Sequence, residues 1–184
     1  MKKLGFVALV AALAAPVYAD SWKIDPIHTN VLFKVQHFGA GRFIGRFNET
    51  SGTINWDDQD PGKSKIEVEV KVESVDTHDA KRDGHLKSPD FFDAKQFPTI
   101  AFTSTKIEKD GDKFKVTGDL KLHGETHPVT TSFEITGKSS KGDRVGGEAV
   151  FKIKRTDWGM KKMVGNDGVG DEVELTIGIE ATKG

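Results

Sequence analysis

Apolar and polar side chains alternate with a period of two along most of this chain, and that periodicity constrains its fold more than any other feature. Between Lys65 and Glu73, the side chains of Ile66, Val68, Val70 and Val72 alternate with Lys65, Glu67, Glu69, Lys71 and Glu73. One face is apolar and the other charged, as in an antiparallel strand with one wet side. The same pattern returns at Val31–Phe33–Val35, Phe114–Val116 with Leu120–Leu122, Val129–Thr136, Val145–Ile153 and Val173–Glu180. Turn signals punctuate these runs at Gly39-Ala40-Gly41, Asp60-Pro61-Gly62, Asp110-Gly111-Asp112, His123-Gly124-Glu125 and Lys141-Gly142-Asp143. The apolar phase slips between Phe43–Phe47 and Ile54–Trp56, which predicts a bulge near Thr50-Ser51-Gly52. Only the segment 79–97 departs from period two. Its pattern suits one or two short helices, with Pro89 starting the second. About eight one-sided strands in one chain require two packed sheets or a closed barrel, and short hairpin turns favour an up-and-down barrel.

Stability must come from this sheet alone. The 184 residues include no Cys, which excludes a disulfide scaffold, thiol nucleophiles and Cys-ligated metals. Lys2 and Lys3 precede an apolar run, Leu4–Ala15, too short for a bilayer of roughly 30 Å, and Val17-Tyr18-Ala19 puts small residues at a cleavage site. This is the pattern of a secretory signal removed after Ala19. The mature chain, 20–184, is then one soluble exported domain with 25 basic and 28 acidic side chains, a net charge of −3. Such a balance lacks the basic excess of a general nucleic-acid binder, and stable membrane insertion is not expected. Self-association as a homodimer is left open.

In a meander, the strand ends near His37, Asp76, Leu122 and Arg155 meet at one rim, covered by the connections 79–97 and 156–171. His37 and Arg155 both follow the inward apolar phase of their strands. An inward Arg costs several kcal/mol unless it meets a partner. Two readings stand side by side: Arg155 pairs with a carboxylate such as Asp76, or Arg155, His37 and Arg82 bind a polar ligand head. The small inward residues Gly45, Ser74, Ser104, Gly118, Gly147 and Ala149 leave room for a ligand in an eight-stranded bore. Phe33, Phe43, Phe47, Phe102, Phe133 and Phe151, with Val70 and Phe92, are candidates to line it. Trp158, Met160 and Met163 would form an apolar lip.

Catalytic and metal signals are weak. There is no nucleophile elbow, Walker loop or dinucleotide-binding glycine pattern. His123-Gly124-Glu125-Thr126-His127 has Gly where a zinc-protease helix needs Glu, and it falls at a hairpin turn. No cofactor and no resident metal are expected.

Three longer motifs carry a resemblance. They are Ser74-Val75-Asp76-Thr77 followed by Arg82-Asp83-Gly84-His85-Leu86 and Asp90-Phe91-Phe92-Asp93; Thr117-Gly118-Asp119-Leu120-Lys121-Leu122-His123-Gly124; and Arg155-Thr156-Asp157-Trp158-Gly159-Met160. With Ile24-Asp25-Pro26 and His28-Thr29 near the start, the chain from Trp22 to about Ala181 resembles the YceI-like family of bacterial periplasmic polyisoprenoid-binding proteins. That resemblance implies an all-β, lipocalin-like extended antiparallel barrel holding a polyprenyl phosphate or isoprenoid quinone. A lipid-modifying hydrolase and a ligand-free, partner-binding barrel are the competing readings.

Overall fold

A computed structural model describes residues 20–184; the segment expected to be a signal, 1–19, lies outside the described residues. The alternating runs form strands β1 (Asp20–Ile24), β2 (Asn30–His37), β3 (Gly41–Phe47), β4 (Thr50–Trp56), β5 (Lys65–Lys71), β6 (Val75–Asp76), β7 (Thr99–Asp110), β8 (Lys113–Leu122), β9 (Glu125–Lys138), β10 (Arg144–Lys154) and β11 (Val169–Lys183). One helix, α1 (Ala80–Leu86), sits between β6 and β7.

The eleven segments make eight staves. β1 and β2 are one stave bent at residues 25–29, β3 and β4 one stave kinked at Asn48–Glu49, and β5 continues into β6 through a short 3-10 turn, Val72–Ser74. β1 pairs with β4 while β2 pairs with β3, and both β1 and β2 pair with β11. Every pairing is antiparallel, so the sheet closes on itself as an eight-stranded up-and-down barrel with no free edge along its wall.

Two expectations are corrected in position. The phase slip lies at Asn48–Glu49, two residues before the predicted bulge. There Ser74 absorbs the extra backbone groups: its carbonyl accepts from Asn48 N–H at 3.1 Å, and its hydroxyl accepts from Glu49 N–H at 3.0 Å. The second helix expected after Pro89 does not form. Residues 88–97 are a chain of turns that buries Phe91 and Ala94. α1 itself is capped by Asp79, whose carboxylate accepts from Arg82 N–H at 2.8 Å.

The topology sends the hairpins 38–40 and 123–124 and the segments 77–98 and 155–168 to one rim, which gathers His37, Asp76, Leu122 and Arg155 as the meander requires. The opposite end is filled. Trp22, Ile24, Trp56 and Ile107 are buried there, and Trp56 packs edge-on to Phe114 with ring centroids 4.7 Å apart. No helix among the described residues is long and apolar enough to cross a membrane.

Candidate functional site: an apolar bore with a polar mouth

Above the Trp22–Trp56 floor the barrel encloses a cavity of about 290 Å³, at the lower end of ordinary ligand pockets. Its wall is made by the inward phase of every stave. Of the residues anticipated as ligand contacts, Phe33, Phe43, Phe47 and Val70 line one side, Phe102, Phe133 and Phe151 the other, and Phe92 covers them from the rim segment. His37, Arg82, Arg155 and Met160 lie at the mouth.

Trp158 is set apart from these. It is 3% exposed and does not face the cavity. Its indole N–H donates to the Leu120 carbonyl at 3.1 Å, and its own carbonyl bonds His123 Nδ1 at 3.0 Å. Its ring stands edge-on to His127. It seals the rim loop onto β8 and β9 instead of forming a lip.

The small inward residues do not simply leave room. A Cβ on Gly45 would meet the Phe33 ring, with Cε1 at 2.7 Å; on Gly118 it would meet Phe102 Cε2 at 2.6 Å; on Gly147 it would meet Phe133 Cε2 at 2.7 Å. Each glycine is a seat for a phenyl ring laid flat on the wall, the aromatic cover that glycines in sheets favour. The bore stays open because its rings lie against the backbone. Ser74 and Ser104 are spent on the frame: Ser104 Oγ accepts from Ile66 N–H at 2.8 Å in a buried bulge.

The polar groups of the mouth divide by commitment. Arg155 is 4% exposed and meets no carboxylate. Its Nε donates to Gly170 O at 2.9 Å, Nη1 to Met160 O at 2.7 Å, and Nη2 to Lys162 O and Val169 O at 2.9 and 3.0 Å. Burial pulls its guanidinium down from the ordinary range, opposed by Asp171, yet an Arg stays charged. The pairing with Asp76 does not occur. Asp76 instead bonds His78 N–H and Asn48 and faces Arg46. Arg82 likewise spends its Nε and Nη2 on the Thr77 hydroxyl and carbonyl, at 2.7 and 2.6 Å, while its guanidinium lies over the Phe43 ring at 5.0 Å. Asp83 accepts from Thr77 N–H, so the motif Thr77…Arg82-Asp83 is a knot that ties α1 to the end of β6. His37 is exposed beside Phe43, and His85 bonds Asp90 at 3.0 Å.

Three carboxylates hold this rim segment. The His78 amide lowers the Asp76 carboxyl first, then Asn48; the Arg82 amide lowers Asp79; His85 and then Lys162 lower Asp90. A group whose folded pKa is depressed stabilises above its unfolded value and loses that stability as pH falls through the folded one. The urea midpoint is therefore expected to stay level down to about pH 5 and to fall below about pH 4. Asp76→Asn, measured over the same range, flattens that acid limb.

Among the described residues one cluster has metal-ligand chemistry, Asp25, His28 and Glu180. Arg144 Nη1 already bridges its two carboxylates, and His28 Nδ1 bonds Asp25 at 2.8 Å. It is an ion-pair clasp across the β1–β2 corner. His123 bonds the Trp158 carbonyl, while His127, in strand β9 and not in the turn, packs its ring edge-on against Trp158 with its buried Nε2 unpartnered.

The cavity also recruits residues that sequence reasoning had not selected as contacts: Val173, Leu175, Ile177 and Ile179 of β11, and His85 and Phe91 of the rim segment. The β11 set was visible as an inward phase. Nothing local marks the rim pair.

An eight-stranded barrel with one plugged end and an apolar bore defines a ligand-binding barrel class. The chain belongs to the YceI-like domain family, whose match covers residues 22–181. It is 38% identical to Protein YceI of Escherichia coli O157:H7 over 185 residues, covering 98% of this chain and 95% of that protein. Among solved structures, the Campylobacter jejuni YceI protein is 34% identical with a TM-score of 0.70, over 76% of this chain and 84% of that one. A polyisoprenoid binding domain from Saccharophagus degradans shares the fold at 15% identity, TM-score 0.72, over 90% of this chain and 99% of that one.

Proposed function

We propose that this protein is an exported, non-catalytic carrier that holds a long isoprenoid-type amphiphile, a polyprenyl phosphate or an isoprenoid quinone, for transport, storage or sequestration. In this reading the segment 1–19 is cleaved after Ala19 and the mature barrel works in the periplasm. The observation that carries the proposal is the bore: closed at the Trp22–Trp56 floor, walled by aliphatic and phenyl groups, and open at a rim with His37 and Arg82. Burying a hydrocarbon chain there gains up to about 25 cal/mol per Å². The polyisoprenoid binding named for the S. degradans domain, which shares the fold, and this chain's own place in the YceI-like family support the ligand class.

Binding is favoured over catalysis by the lining. It holds no carboxylate, and its one hydroxyl, Thr131 Oγ1, already donates to the Ser132 carbonyl. A general base needs a nucleophile or water within hydrogen-bond reach. Native mass spectrometry of the protein purified from its own cell envelope is expected to show an adduct that extraction identifies as an isoprenoid lipid. A ligand-free mass with no extractable lipid overturns the proposal.

A further inference from the structure

We propose that the rim of the mouth is a docking surface for a bilayer carrying anionic headgroups, and that the bore exchanges its ligand while seated there. The inference rests on the carrier reading above and adds where the carrier meets its lipid source.

Six large apolar side chains are exposed among the described residues, and three of them, Phe38 (51%), Met163 (40%) and Val164 (43%), belong to two segments that meet at the mouth. Phe38 N–H donates to Gly168 O at 2.7 Å, Val169 pairs with His37, and Val169 N–H donates to Met163 O at 2.7 Å. The β2–β3 turn and the loop 163–168 therefore form one ridge. Met163 also lines the cavity, so the ridge is continuous with the bore. Isolated exposed apolar residues need no explanation, but a cluster rimming a cavity does.

The backbone sharpens the point. Phe38 and Met163 both sit at positive φ, +48° and +53°, where a bulky side chain is strained relative to its ordinary conformation. Asn or Gly would relieve that strain. Two large apolar residues held outward in strained turns beside an apolar opening sacrifice stability and solubility together, as functional sites do.

Charge selects the partner. The mature chain carries a net −3, yet Lys161 and Lys162 precede the ridge in the loop and Arg42 flanks it on β3. Lys162 is partly offset by Asp90 at 3.3 Å, and the exposed Asp167 lies in the ridge loop itself, so Lys161 and Arg42 carry the basic excess. Basic residues beside an apolar edge suit an anionic lipid surface, where each adds attraction. The four carbonyls gathered by Arg155 hold the loop in shape before contact, so docking does not have to order it.

Vesicle flotation tests this with the mature protein and two lipid mixtures, phosphatidylcholine alone and equal parts phosphatidylcholine and phosphatidylglycerol. The wild type is expected to float with the anionic vesicles and much less with the neutral ones. The double variant Phe38→Asn/Val164→Ser uses positions outside the cavity lining. It is expected to keep or raise its thermal midpoint, to keep its lipid content, and to bind anionic vesicles about tenfold or more weakly; Lys161→Gln is expected to lose about fivefold. Wild-type protein that stays unbound with both mixtures overturns the docking surface, whatever lipid it holds. So does a double variant that floats as well as the wild type. A solution dimer that the double variant dissolves, with no vesicle binding, reassigns the ridge to a second copy of the chain. Vesicle binding by protein that never holds an isoprenoid leaves the ridge standing and removes the carrier reading instead.

Discussion

Arg155→Met is expected to lower the unfolding free energy by about 3–5 kcal/mol, and to weaken a neutral quinone and a phosphorylated prenol to a similar extent. The stability loss follows from what the guanidinium holds. Met160, Lys162, Val169 and Gly170 all turn their carbonyls to one buried cation. Removing it leaves several buried acceptors unpaired at about 1–3 kcal/mol each, with water reaching those nearest the mouth. Met keeps the apolar stem, so lost packing adds little. Arg155→Lys recovers only part, because an ammonium cannot reproduce a planar fork. The matching loss of both ligands follows from the same bonds: four of the guanidinium's five N–H groups donate to backbone carbonyls, so a phosphate finds one left at most and gains little from it that a quinone lacks. Urea unfolding and titration with the two ligand classes give both readings. An unchanged urea midpoint with selective loss of the phosphorylated prenol shows instead that Arg155 binds the head group.

That assignment marks where sequence reasoning reached and where it stopped. Period two places a side chain on one face of a strand, and the faces of seven of the eight staves were legible from it; β7 was marked only by Phe102 and Ser104. So was the rim, because a meander dictates which strand ends meet. Period two says nothing about what a side chain at the end of a strand touches. Arg155 follows the inward phase of Phe151 and Ile153, but its partners come from residues five to fifteen positions downstream in a loop whose course the pattern does not encode. Trp158 fails for the same reason: an aromatic in a rim loop reads as a lip until its N–H is seen on the Leu120 carbonyl. The slip at Asn48–Glu49 was detectable from the parity of Phe47 and Trp56, but its position depends on Ser74, twenty-five residues away. Inward glycines read as empty space from composition, whereas the register sets each beside a phenylalanine of the neighbouring stave, directly opposite or on the diagonal. Gly45 lies opposite Phe33, and Gly118 and Gly147 lie two places along from the partners of Phe102 and Phe133.

Those seats yield the second large effect. Gly147→Ala is expected to destabilise the barrel by about 1–3 kcal/mol and to displace the bound lipid. The new Cβ would overlap the Phe133 ring, with Cε2 at 2.7 Å and Cε1 at 3.1 Å. The wall behind is sheet backbone, so the ring can yield only toward the bore, and ligand space is lost with stability. The clash involves side-chain atoms alone, so shortening the ring cures it: Gly147→Ala/Phe133→Leu is expected to regain most of the thermal midpoint and the lipid. Gly118→Ala provides the contrast. There the added Cβ meets Phe102 Cε2 at 2.6 Å and also the Thr103 carbonyl oxygen at 2.6 Å. Phe102→Leu removes the first obstacle and leaves the second, which belongs to the neighbouring strand's backbone and cannot rotate away. The Gly118→Ala/Phe102→Leu pair is therefore expected to remain destabilised and lipid-poor. Failure of Phe133→Leu to rescue Gly147→Ala, read by thermal midpoint and by native mass, shows that the glycine serves strand curvature rather than seating the ring; equal rescue of both pairs shows that the Thr103 carbonyl is no obstacle.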